Sequence, residues 1–169
     1  MSMSRLTRRS FLGAAALAGA ATIVPRHVLG GAGFVPPSAK LNIAGVGIAA
    51  MGSGNLRALE SQNIVALCDV DFDYAAPTFK RYPAAVTYKD YRVMLDRQKD
   101  IEAVLIATPD HTHAIISMAA MRAGKHVYCQ KPLTHDVHEA RALTLAARGT
   151  RLATQTGNQG MSSDEHRSI

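Results

Sequence analysis

Beyond residue 40 the chain alternates short apolar runs with longer segments whose apolar positions recur every three or four residues. The run "LNIAGVG" (41–47) has no polar face, as expected of a strand covered on both sides. Further runs predict strands over 63–71 ("NIVALCDVD"), 84–90 ("AAVTYKD"), 101–109 ("IEAVLIATP"), 126–132 ("HVYCQKP") and 151–157 ("RLATQTG"). Between them the helical period predicts helices over 51–61, 74–82, 91–98, 111–124 and 136–149. Pro77 is expected to shorten or kink the second helix, because proline lacks the amide a helix interior needs. Gly124 and Gly149 are expected to close the last two, and Asp136 with Glu139 forms a candidate capping box. Six apolar strands alternating with helices predict an α/β domain built on a doubly wound parallel sheet. Right-handed crossovers favour the strand order 3-2-1-4-5-6.

Composition narrows the range of functions. Charged residues make up 19% of the chain and hydrophobic ones 47%, a globular balance. The net charge is +6, but Arg5, Arg8, Arg9 and Arg26 lie within residues 1–33, which carry no acid. The remaining 15 basic residues exceed the 13 acidic ones by only two, so the body has no nucleic-acid footprint. Aromatic residues are 5% of the chain and there is no tryptophan, which also disfavours base stacking. Residues 1–33 read as a leader, because paired arginines precede a 14-residue apolar run from Phe11 to Val24. A spanning helix needs roughly 20 residues, so the run suits a signal sequence better than an anchor. "TRRSFL" resembles the twin-arginine export signal, which implies the export machinery as a partner and a periplasmic or otherwise exported location. Residues 34–39 are a proline-containing linker, 40–160 the domain, and 161–169 the start of a truncated C-terminal region. Cys68 and Cys129 end the second and fifth strands, three positions apart in the expected order. At ~4.8 Å per strand they are too far apart for a disulfide, which needs Cα atoms within about 7 Å; both read as buried free thiols.

The first strand runs into "GVGIAAMG", where Gly45, Gly47 and Ala50 fit G-x-G-x-x-G/A. Gly45 would permit the tight turn and Gly47 the close approach of a pyrophosphate. Ala50 would let helix and strand touch, and Met51 follows at the helix start. Amides at that helix terminus suit phosphates. Asp69 ends the second strand 24 residues after Gly45 and could accept from ribose hydroxyls. An acid there repels a 2′-phosphate, so the cofactor is read as NAD, with NADP disfavoured. Asp71 is read as a turn residue or cap. Thr108 and Pro109 end the fourth strand at the carboxyl edge, beside the expected nicotinamide half. His111 and His113 lie two apart at a helix start, where their side chains diverge, so no metal site is expected, and His113 is read from its position as a packing or hydrogen-bonding residue of the turn.

Together, the leader, "GVGIAAMG", "ALCDVD", "ATPDHTH" and "GKHVYCQKPL" resemble the N-terminal domain of the Gfo/Idh/MocA oxidoreductases, relatives of glucose–fructose oxidoreductase and inositol dehydrogenase. The resemblance covers 40–160 and implies a Rossmann NAD(P)-binding fold. It also implies hydride transfer between a nicotinamide cofactor and a sugar or cyclitol hydroxyl, with a second α+β domain that is missing from this chain. It implies that Lys131 is the catalytic or substrate-orienting cation and Pro132 a rigid turn, often with a cis bond. His113, Gln130, Lys131 and Asn158 become candidate cofactor contacts, together with Thr108 and Pro109. The family usually has E-K-P at this strand tip; Gln130 replaces the glutamate and removes its charge. Alternatives within the resemblance are an NAD-dependent glycoside hydrolase and a catalytically inactive truncated binding module. Homo-oligomers are implied only for a full-length protein, through the second domain's sheet.

Overall fold

The computed structural model describes residues 35–162. The leader read at 1–33 and residues 163–169 of the C-terminal region lie outside the described residues. The chain divides after Ala39 into two units. In the first, the expected linker contains a 3-10 turn at Pro37–Ala39. The second, from Lys40, carries the sheet.

Its strands are β1 (Asn42–Val46), β2 (Asn63–Cys68), β3 (Val86–Tyr88), β4 (Ala103–Ile106), β5 (His126–Gln130) and β6 (Thr154–Gly157). All pairings are parallel and the order is β3-β2-β1-β4-β5-β6, as the crossover rule predicts. The helices are α1 (Ala50–Ala58), α2 (Ala76–Arg81), α3 (Tyr91–Arg97), α4 (His113–Arg122) and α5 (Val137–Arg148). Alternate strand residues feed two cores. Ile43, Leu67 and Leu105 pack with Ile48, Leu56 and Ala75 from the α1–α2 side. Ala44, Val46, Val104 and Ile106 pack with Met94, Ile116, Ala120 and Leu143 from α3, α4 and α5. This two-sided burial is why the central strands carry no polar face. Leu56 is wholly buried, and burial on that scale contributes about 1.5–3 kcal/mol.

Helix ends follow their sequence signals with two differences. Pro77 lies in the first turn of α2, where the amide it lacks is not needed, so it starts the helix and does not kink it. Gly149 ends α5 at φ −80° and makes no left-handed cap. Gly124 behaves as expected: at φ +73° it donates to Met121 O (2.9 Å) while Lys125 N donates to Ala120 O (3.0 Å), a Schellman end for α4. At the start of α5, Asp136 accepts from Glu139 N–H at 2.8 Å and the Glu139 carboxylate accepts from His135 N–H at 2.8 Å. The box therefore closes one residue earlier than the simplest pattern. Two strands, β1 and β4, separate Cys68 from Cys129, and both thiols are free and buried.

Candidate functional site

Parallel strands bring their carboxyl ends to one sheet edge, and a cleft of about 680 Å³ opens there. Gly47, Ala50 and Asp69 line it, with Thr108 and Pro109 opposite.

Each glycine of the first turn answers to a different neighbour. A Cβ on Gly45, inside β1, would stand 2.9 Å from Ile48 Cγ2 and 3.2 Å from Leu56, so this glycine lets α1 pack on the strand. Gly47 has φ +73°, and a Cβ there would lie 2.7 Å from the Ala107 and Thr108 backbone. It is the position where the ends of β1 and β4 nearly touch. The tight helix–strand contact expected of Ala50 belongs to another residue. Ala50 is exposed at φ +37°, while a Cβ on Gly52 would overlap the Gly47 carbonyl oxygen. Met51 is 56% exposed and does not line the cleft. Ala49 precedes α1 without a side-chain cap, which leaves the first amides of the helix to an incoming acceptor.

Asp69 folds back onto this turn. One carboxylate oxygen accepts from Ile48 N–H at 2.9 Å and the other from Asp71 N–H at 3.1 Å. The next peptide along is held by the buried Thr78 hydroxyl, which donates to Ile48 O at 2.9 Å. Asp71 acts as the turn residue expected, accepting from Tyr74 N–H at 2.9 Å. Beneath, burial and then the negative charges of Asp69 and Asp90 push the Cys68 thiol up to about 12. Burial pushes Cys129 up to about 11. Neither thiol is a nucleophile in the folded state.

His113 takes the packing and hydrogen-bonding place read for it in the turn and not that of a cofactor contact. It is 1% exposed, and its ring nitrogens lie 2.7 Å from Thr108 O and 2.6 Å from Pro132 O. Both are used inside the protein, so His113 ties the cleft wall to the tip of β5 and does not reach a ligand in the cleft. His111 is exposed and lines the cleft, so the two rings diverge. Among the described residues no three His, Cys, Asp or Glu side chains gather as a metal site. The Lys131–Pro132 bond is cis, and Lys131 is exposed beyond the end of β5, outside the cleft lining. Gln130 is 5% exposed, with its amide nitrogen buried and unpartnered. Asn158 is exposed and does not line the cleft either.

Sequence inspection missed a wall of the cleft: Val70, Tyr74, Lys89, Tyr91, Arg92 and Ile115. Val70 is 83% exposed and Ile115 60%, large apolar side chains left open at a ligand-sized cleft. The signal was available for Lys89 and Arg92. The expected order sets the third strand beside the second, so residues just past its end must reach the same edge as Asp69.

Residues 40–158 match the oxidoreductase family Gfo/Idh/MocA, described as having an NAD-binding Rossmann fold. An inositol 2-dehydrogenase of Salmonella typhimurium is 37% identical over 93 residues, covering 52% of this chain and 27% of that protein. Among solved structures, the myo-inositol 2-dehydrogenase of Lactobacillus plantarum superposes with a TM-score of 0.71 at 26% identity. The match covers 76% of this chain and 39% of that one. A 3-ketoreductase of Actinomadura kijaniata, in complex with NADP, superposes with a TM-score of 0.68 at 28% identity, over 76% of this chain and 42% of that one. The chain thus spans about a quarter of the length of the Salmonella relative. With the family match over residues 40–158 and the glycine turn facing an acid at the sheet edge, the chain belongs to the Gfo/Idh/MocA oxidoreductases and contains their NAD-binding Rossmann domain.

Proposed function

We propose that this chain is the cofactor-holding part of an exported dehydrogenase that moves a hydride between a sugar or cyclitol carbinol and a nicotinamide. The observation that carries this reading is the cleft itself. The uncapped start of α1, the close crossing at Gly47 and the Asp69 carboxylate converge on one wall. A Cβ at Gly47 would crowd the crossing that shapes this cradle, so the residues present fit a dinucleotide.

The first amides of α1 would hold the pyrophosphate, and Asp69 would accept from the adenosine ribose hydroxyls with the lone pairs its backbone donors leave over. Val70 and Ile115 would flank the adenine with apolar surface. The nicotinamide supplies the hydride acceptor. Lys131 would hydrogen-bond the reacting hydroxyl and steady its oxygen as the proton leaves. His113 would keep the Lys131–Pro132 turn against the Thr108 wall. A substrate class of sugars or cyclitols is supported by the inositol dehydrogenases among the relatives. The Arg8–Arg9 pair and the apolar run behind it support export by the twin-arginine route. A substrate-covering α+β domain beyond residue 160 is supported by the greater length of the relatives.

The test is a fluorescence titration of the chain with NADH. Saturable binding that Asp69→Ala weakens about tenfold, the scale of one lost charge-assisted bond, is the expected result. Unchanged nucleotide emission at millimolar NADH would refute the reading. In a protein carrying the substrate domain, Lys131→Met should remove turnover while NADH binding persists.

A further inference from the structure

We propose that Lys89 gives the adenosine end of the cleft a binding point for a ribose 2′-phosphate, so that the domain accepts NADP alongside NAD. The proposal rests on the dinucleotide reading above and extends it against the expectation that Asp69 alone sets the choice.

The placement follows from strand register. β3 lies outside β2, with Tyr88 opposite Cys68. Asp69 N–H then donates to Tyr88 O at 3.1 Å. Lys89 therefore leaves β3 at the level where Asp69 leaves β2, one strand spacing of about 4.8 Å to the side. Both residues line the same cleft, with Val70 and Tyr74. An acid and an amine thus face the same part of any nucleotide bound there.

Lys89 is also available. Among the described residues the ion pairs are Glu60–Arg81, Asp90–Arg92 and Asp96–Lys99, and none includes it. Its ammonium rests 5.2 Å from the centre of the Phe72 ring, a weak contact at an exposed site that a phosphate would outcompete. Arg92, the other cation of this wall, is engaged. Its Nε donates to both Asp90 oxygens (2.9 and 3.1 Å) and one terminal nitrogen donates to Asp90 Oδ2 at 2.7 Å.

Asp69 is a weaker barrier than its charge suggests. Each oxygen already receives a backbone N–H, from Ile48 and from Asp71, and those dipoles offset part of the field a phosphate would meet. One partly compensated carboxylate and one unpaired ammonium at similar reach act with opposite sign on a 2′-phosphate. The carboxylate favours a free ribose diol and the ammonium favours the phosphate ester. The balance gives a preference near parity, where an acid alone would exclude NADP.

NADH and NADPH are titrated by fluorescence into the wild-type chain, Lys89→Ala and Lys89→Arg, with adenosine 2′-monophosphate and adenosine 5′-monophosphate as competitors. The wild-type chain should bind the two dinucleotides with affinities within about tenfold of each other. Lys89→Ala should shift the ratio about tenfold towards NADH, the effect of one charge-assisted contact. Lys89→Arg should restore the ratio, and added salt should weaken NADPH more than NADH. A wild-type preference for NADH above about a hundredfold, twice the single-contact step in free energy, would overturn the proposal. So would a ratio that Lys89→Ala leaves unchanged. Failure of both dinucleotides to bind would instead remove the dinucleotide reading, and this assignment with it.

Discussion

Gly52 and Gly54 lie two residues apart in α1 and should respond in opposite directions to the same change. A Cβ on Gly54 meets nothing within 4 Å, so Gly54→Ala gains helix propensity without a steric term. That gain is about 0.8–1 kcal/mol. A Cβ on Gly52 would overlap the Gly47 carbonyl oxygen and stand 2.9 Å from the Gly47 carbonyl carbon and 3.4 Å from Ala107 Cβ. Two of these are backbone atoms, which cannot rotate away, so α1 must lift from the turn. Overpacking of this kind costs typically 1–3 kcal/mol, and a backbone clash belongs at the upper end. Subtracting the propensity gain leaves a net loss of about 1–2 kcal/mol for Gly52→Ala. Thermal unfolding followed by circular dichroism reads both, at roughly 3–5 °C of melting temperature per kcal/mol for a domain of this size. The displacement also moves Gly47, so Gly52→Ala should weaken NADH binding while Gly54→Ala leaves the turn in place. Equal stability of the two variants would refute the assignment of the tight contact to Gly52.

Two further outcomes follow from buried groups. Burial raises the Cys68 thiol from 9.0 to about 12 and the Cys129 thiol from 9.0 to about 11, so the folded state holds both protons more tightly than the unfolded chain. Stability should be full below the unfolded thiol pKa and fall as pH rises through 11 to 12, by at most about 1.4 kcal/mol per pH unit for each thiol. Cys68→Ala should flatten that fall, and an aromatic disulfide reagent should label neither thiol until the chain unfolds. His113→Ala removes the link between Thr108 O and Pro132 O and leaves a cavity, and should cost about 2–4 kcal/mol in urea unfolding. A loss below about 1 kcal/mol, the net worth of one ordinary hydrogen bond, would show that the ring does not clamp the two turns.

The sheet was legible because its signals are local and repeated. Each buried strand lacks a polar face, and handedness of the crossovers leaves few orders to choose from. Asp69 was legible because the length of one strand–helix–strand unit fixes its distance from the glycines. Ala50 misled because the fingerprint counts residues, whereas the clash depends on where the helix begins. With α1 starting at Ala50, the side that meets the Gly47 carbonyl is presented by Gly52. Pro77 misled for the same reason, since the expected helix started earlier than α2 does. His113 was legible as a hydrogen-bonding residue of its turn, but its partner Pro132 lies 19 residues on, and only the fold shows that this contact turns the ring away from a cofactor. Lys89 follows β3 and Arg92 lies in the first turn of α3, so only the lateral pairing of β3 with β2 brings them to the cleft.

Two successive peptide planes meet at Ile48 and each is held, the N–H of the Gly47–Ile48 peptide by Asp69 and the carbonyl of the Ile48–Ala49 peptide by Thr78. With both neighbouring planes tethered, the turn resists a peptide flip on either side of Ile48, so the mould for the nucleotide exists before the nucleotide arrives. Association then spends little ordering entropy on this loop, and the Ile48 amide should exchange with deuterium slowly even in the free protein. Thr78 lies in α2, among residues that touch no ligand, yet replacing its hydroxyl by a methyl in Thr78→Val would loosen the mould from behind.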